Sequence, residues 1–156
     1  MKFLLKLFLL SLVFLLFTEA FANESQVGII LGSTSGLSAK YDLGADRAVD
    51  AGLSYSIDDK YGLSLHIDYL LNKAREFALG EWKPLMLYYG LGARVLDIRR
   101  GSNSGSTRVG LRVPVGVYYR LPEPKLEFFG ELVPVMDMAP DSEFSIHLGL
   151  GGRLIF

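Results

Sequence analysis

After its first two dozen positions the chain alternates apolar residues with small or polar ones, at the period of two that marks β-strands. The last ten residues show it most clearly. In His147-Leu-Gly-Leu-Gly-Gly-Arg-Leu-Ile-Phe156, Leu148, Leu150, Leu154 and Phe156 share one face, and His147, Gly149, Gly151 and Arg153 share the other. No window of this region sustains a helical period. Turn chemistry divides it into eight runs: Gln26 to Leu31, Leu37 to Leu43, Ala48 to Ile57, Leu63 to Leu71, Pro84 to Asp97, Arg108 to Leu121, Leu126 to Met136, and Phe144 to Phe156. The predicted connections are Gly32–Gly36, Gly44–Asp46, Asp58–Gly62, a longer stretch from Asn72 to Lys83 that holds Trp82, the polar loop Arg99–Thr107, Pro122–Lys125 and Ala139–Glu143.

The two faces of these runs decide the class. From the third run onward, the face of Leu53, Leu65, Leu91, Val113, Leu132 and Leu150 carries no charged residue. The interleaved face carries Asp50, Asp68, Arg94, Arg112, Glu127, Glu131 and Arg153, and many glycines. A soluble barrel would turn the apolar face inward. A membrane barrel turns it outward, where an unpaired charge at the bilayer midplane costs about 2–4 kcal/mol. Three features favour the membrane. Glycines on the polar face suit a narrow lumen, tyrosines and phenylalanines lie near strand ends where an interfacial girdle belongs, and the chain ends within a strand. The expected fold is all-β: an eight-stranded antiparallel up-and-down transmembrane β-barrel. An even strand number places both chain ends on the periplasmic side.

The start of the chain fits that destination. Lys2 precedes the apolar stretch Leu7–Phe17, and Ala20-Phe-Ala22 supplies a small-x-small site, the three parts of a secretory signal peptide. Cleavage is predicted after Ala22, giving residues 1–22 as signal and 23–156 as barrel. The apolar stretch is shorter than the ~20 residues of a spanning helix. The formal net charge of −1 gives no electrostatic case for nucleic acid. With no cysteine, disulfides, thiolate metal sites, a cysteine nucleophile and a lipidated cysteine are excluded.

Several stretches then point to a family: Gly32-x-x-x-Gly36-Leu37-x-x-Lys40-Tyr41, Leu87-Tyr88-Tyr89-Gly90-x-Gly92-x-Arg94, Gly110-x-Arg112-x-Pro114-x-Gly116, and Glu131-x-x-Pro134-x-x-Asp137-x-x-Pro140. At these residues the chain resembles the eight-stranded transmembrane barrel of the OmpA type and a family of small, largely uncharacterised outer-membrane barrels. The resemblance spans nearly all of 23–156. It implies a fold and a location in the cell outer membrane more than an activity. Leu154 and Phe156 are similar to the signal by which such barrels are recognised by the barrel assembly machinery, with Gly149 a departure from its usual polar residue.

The inward charges are the candidate chemistry. Lys40, Asp50, Asp68, Arg94, Arg112, Glu127, Glu131 and Arg153 nearly cancel, as expected of mutually satisfied ion pairs filling a lumen. A charge-selective pore would show an excess of one sign. His66 and His147 fall on the same face, where a lipid-hydrolysing triad with Ser64, Asp68 or Glu131 would have no access to lipid. No histidine pair has metal-ligand spacing, and Gly32–Gly36 lacks the Gly-Lys-Ser/Thr and following helix of a phosphate loop. Pro114 and Pro134, inside strands, each remove a ladder donor and mark a local bulge. The loop bearing Arg99, Arg100 and Arg108 reads as a solvated tip, and as the best surface for lipopolysaccharide or an outside ligand. The expectation is an outer-membrane protein with a structural or surface-binding role, no enzyme activity and no cofactor. Its partners are outer-membrane lipid, lipopolysaccharide and the assembly machinery. A narrow solute channel and a lipid-modifying enzyme are the alternatives.

Overall fold

A computed structural model of the chain describes residues 24–56, 61–77, 85–98 and 105–156. The predicted signal segment 1–22, Trp82, Arg99 and Arg100 lie outside the described residues. Among the described residues there are nine strand segments: β1 (Ser25–Gly32), β2 (Thr34–Gly44), β3 (Arg47–Ser56), β4 (Tyr61–Phe77), β5 (Leu85–Ile98), β6 (Thr107–Arg112), β7 (Val115–Leu121), β8 (Leu126–Ala139) and β9 (Glu143–Ile155). All pairings are antiparallel. β1 to β5 each pair with the next, β6 and β7 both lie between β5 and β8, and β8 pairs with β9, which returns to β1. The ring is closed, and it has eight positions because β6 and β7 share one.

That shared position corrects the expectation of one strand from Arg108 to Leu121. The cause is the two prolines. Val113 donates to the Pro134 carbonyl at 3.0 Å and Gly90 donates to the Pro114 carbonyl at 2.9 Å. Neither proline has an N–H to return, so half of each rung is missing at one spot in the wall. The other half holds the strand in line. Two more boundaries move. The first hairpin turns at Ser33 alone, because Thr34, Ser35 and Gly36 pair with Ser56, Tyr55 and Ser54. Their small polar side chains resemble turn chemistry, yet a Cβ at Gly36 would collide with the backbone of Leu53 and Ser54, so this glycine serves a close strand approach. The fourth strand continues past Leu71, since Asn72 and Lys73 find partners in Tyr88 and Leu87.

The register is staggered around the ring. Gly28 pairs with Arg153 of β9 on one side. Followed the other way, its rung runs through Ser38, Gly52, His66, Arg94, Gly110 and Asp137 to Glu143, ten residues from Arg153 on the same strand. Such a shear accompanies strands tilted by about 35–45° to the barrel axis.

Burial inverts the pattern of a soluble protein. Leu53, Leu65, Ile67, Leu91, Leu132, Leu148 and Leu150 are exposed, the last at 72%. Lys40, Asp50, Asp68, Arg94, Arg112, Glu127 and Arg153 are buried. Tyr119, Phe128 and Phe156 lie toward the end that holds both chain termini, while Tyr55 and Phe144 lie toward the other. An uninterrupted apolar belt between aromatic rims is the outer surface of a transmembrane barrel.

Candidate functional site

The lumen is built by pairing bulk with its absence. Cross-strand neighbours on the inner face are only about 4.5–5.5 Å apart, so at many rungs of so narrow a barrel a large side chain needs a small one beside it. Glycine resolves this. His66 lies opposite Gly52, Asp68 opposite Gly92, Asp137 opposite Gly110, Tyr88 opposite Gly116 and Phe129 opposite Gly151. In each case a Cβ on the glycine would fall on its partner's side chain.

Three groups of charges follow the barrel axis. Near the chain termini, Glu127, with no exposed surface, accepts from Arg153 at 3.0 Å, from Lys40 at 3.3 Å and from Arg120 at 2.9 Å. Arg153 also binds Asp50 and donates to the Ser38 hydroxyl at 2.7 Å and 3.0 Å. Arg120 spreads its remaining donors to Asp42 at 2.8 Å and Glu24 at 2.9 Å. With the Gln26 amide oxygen turned to Arg120, its nitrogen donates to Glu127 as well. These cations also lie against aromatic faces: Lys40 is 4.2 Å from the Tyr118 ring centre and the Arg153 guanidinium 3.7 Å from that of Phe129.

At mid-height Arg112 meets Asp68 at 2.9 Å and Glu131 at 3.7 Å, and the Tyr88 hydroxyl donates to Glu131 at 3.0 Å. His66 lies 3.7 Å from Asp50. Below this level Ile30, Ala48, Leu70, Tyr88, Tyr118 and Phe129 form one apolar cluster inside the barrel. At the hairpin end Arg94 grips Asp137 with two bonds, 2.7 Å and 3.0 Å. Arg108 reaches both Asp137, at 3.3 Å, and Glu143. The Nε2 of His147 lies 3.2 Å from Arg94 and 3.2 Å from the Ser145 hydroxyl.

The ten inner positions singled out from the sequence, Lys40, Asp50, His66, Asp68, Arg94, Arg112, Glu127, Glu131, His147 and Arg153, all face the lumen. Arg112 meets both Asp68 and Glu131, and Arg94 meets Asp137. Asp137 lies one residue beyond the predicted end of the seventh run, Met136, and inside β8. Arg108 is a correction: it reads as part of a solvated tip, yet only 3% of it is exposed. Its inward parity with Arg112 was the available signal. Arg120 and Asp42 lie beside turns, where turn chemistry obscures their inward parity. Leu154 is exposed on the outer face, and Phe156 follows the end of β9. Among the described residues, no three His, Cys, Asp or Glu side chains converge in a way that could hold a metal ion.

The fold is similar to a known barrel. The crystal structure of the N-terminal β-barrel domain of Pseudomonas aeruginosa OprF matches 86% of this chain and 98% of its own length, with a TM-score of 0.60 and 16% identity. The likeness is one of fold, and it bears out the eight-stranded, OmpA-type architecture expected from the sequence. No protein-family description and no curated protein sequence matches the chain.

Proposed function

We propose that this chain is an integral outer-membrane β-barrel whose lumen is closed by its own ion pairs, and that it serves the envelope as a structural or surface-presenting element. The observation that carries this reading is charge compensation inside an apolar belt. Five inner cations (Lys40, Arg94, Arg108, Arg112 and Arg153) each lie against one or more of five carboxylates (Asp50, Asp68, Glu127, Glu131 and Asp137). Removing one partner of a buried pair costs about 3–5 kcal/mol, so such an interior resists parting to admit a solute. The cluster of Tyr88, Tyr118, Phe129, Ile30 and Leu70 adds an apolar obstruction near the termini. The outer-membrane location rests on the exposed apolar belt, the fold shared with the OprF domain and the export segment read at residues 1–22.

Planar-bilayer recording of the refolded protein tests the closed lumen. No steady conductance is expected, and reproducible single-channel steps would replace this reading with the narrow-channel alternative. Cell fractionation with heat-modifiable gel mobility tests the location separately. A band in the soluble periplasm that does not shift on boiling would overturn it.

A further inference from the structure

The barrel wall has a notch in it at the hairpin end. The β1–β9 register ends at Gly32↔Gly149. Ser33 then closes the seam, donating from its N–H to the Leu148 carbonyl at 2.9 Å and accepting from the Leu148 N–H at 3.0 Å through its hydroxyl. Strand β9 continues for five more residues, Glu143 to His147, which pair with Asp137 to Val133 of β8. Among the described residues, no strand pairs with the other edge of that segment. The overhang is about 16 Å of strand at about 3.3 Å per residue. Main-chain groups of a strand point to its two edges in alternation. Both groups of Leu148 face Ser33, so those of Ile146 and Phe144 face the notch. The β8 side agrees, because Pro134, opposite Ile146, turns its carbonyl the other way, to Val113.

These groups lie where partners matter. Phe144 and Ile146 are exposed on the outer face, level with the apolar belt and its aromatic rim. Water is scarce at that depth, and each unpaired backbone group there costs free energy. The floor of the notch is hydrogen-bonding as well, since Ser33, Thr34 and Ser35 are three hydroxyls in a row. Ser35 faces outward, opposite Tyr55 and two residues from the exposed Leu37. A position turned to acyl chains gains nothing from a hydroxyl. The outer-face groove around Gly130 is the contrary case. It has a volume of about 560 Å³, and its walls of Leu132, Leu148 and Leu150 offer no directional group. Lipid chains fill such a surface without selection.

We propose that the notch is a docking site for an extended segment of another polypeptide, which adds to β9 as an antiparallel strand in line with β1. N–H and C=O groups repeating along a strand edge match the spacing of a second main chain, and strand addition is the mode of recognition that uses them. The segment runs from the hydroxyl floor to the end of β9 at Glu143. Its residues opposite Ile146 and Phe144 face outward and are apolar. Those opposite Ser145 and His147, which hydrogen-bond to each other at 3.2 Å, face the lumen and are small and polar. Behind them Arg94 and Arg108 are already held by Asp137 and Glu143, so the added strand completes the wall and leaves the lumen closed. The pairing rests on the fold alone. That the partner comes from outside the cell rests on the outer-membrane reading above, in which this end faces away from the periplasm.

Amide hydrogen exchange of the full mature barrel, refolded in detergent, reads this edge directly. In the free protein Phe144 and Ile146 should exchange about tenfold faster than Leu148 and Leu150 of the same strand. The probe is a synthetic heptapeptide of alternating valine and threonine with a lysine at each end, at about 1 mM to suit a weak strand contact. It should slow exchange at Phe144 and Ile146 by about tenfold. The same peptide with its valines N-methylated has lost the donors that would face β9, and it should slow neither. Protection of Phe144 and Ile146 in the free barrel would overturn the open edge. Equal effects of the two peptides, or no effect of either, would overturn strand addition. Each sample is first checked for a heat-modifiable gel shift. A protein with no shift would bring down the barrel reading itself, a failure distinct from a folded barrel whose edge takes no strand.

Discussion

Strand β8 contrasts the two faces of the wall within a single segment. Outward it shows Leu126, Phe128, Gly130, Leu132, Pro134 and Met136; inward it shows Glu127, Phe129, Glu131, Val133, Val135 and Asp137. The outward set shares only the absence of charge and tolerates glycine and proline among leucines, because lipid chains adapt to whatever shape they meet. The inward set is specific residue by residue. Glu127 has three cationic partners, Glu131 faces two glycines, and Asp137 is shared by two arginines. One face is chosen by solvent, the other by its neighbours.

If that contrast is right, the largest effect belongs to the inner face. Glu127→Ala should destabilise the barrel by about 3–5 kcal/mol, since Lys40 and Arg153 would remain buried without their shared carboxylate. Urea-induced unfolding in lipid vesicles measures this. A loss no greater than that of Glu143→Ala would mean Glu127 is not the centre of its group. Next comes a charge on the outer face. Leu132→Arg should cost about 2–4 kcal/mol in the same assay, and an unchanged midpoint would show that this face does not meet the hydrocarbon core. The smallest effect separates the faces by volume alone. Gly116→Val places new atoms on the Tyr88 ring and the Gly130 carbonyl and should cost about 1–3 kcal/mol by overpacking. Gly130→Val, whose new atoms first meet the flexible tip of Leu150 on the outer face, should stay within about 0.5 kcal/mol of wild type. Similar costs at the two glycines would erase the distinction.

Much of this was legible in the residue order. Period-two alternation located all eight positions of the ring, and charge-free outward parity assigned the faces of Leu53, Leu65, Leu91, Val113 and Leu150. The errors gathered where small polar residues serve two purposes. Gly32 to Gly36 looked like a loop because glycine and serine favour turns, yet Thr34 to Gly36 are strand residues packed against β3. Asp137 and Arg108 were missed because both lie one residue beyond or at a predicted boundary, where turn chemistry and strand parity compete. The pairing of Arg94 with Asp137 rather than Glu131 was not legible at all. Both carboxylates are on β8, and only the register there decides which one Arg94 can reach.

The sequence by itself determined strand number, face parity and the outward direction of the apolar belt, because these follow from local alternation and from the cost of exposing charge to hydrocarbon. Only the tertiary structure decided who pairs with whom across the lumen, where the wall steps down at Ser33 and where Gly130 opens a groove. Those depend on shear, the relative shift between strands that closes the ring. Shear is fixed by all eight staves of the barrel together and is written in no single one of them.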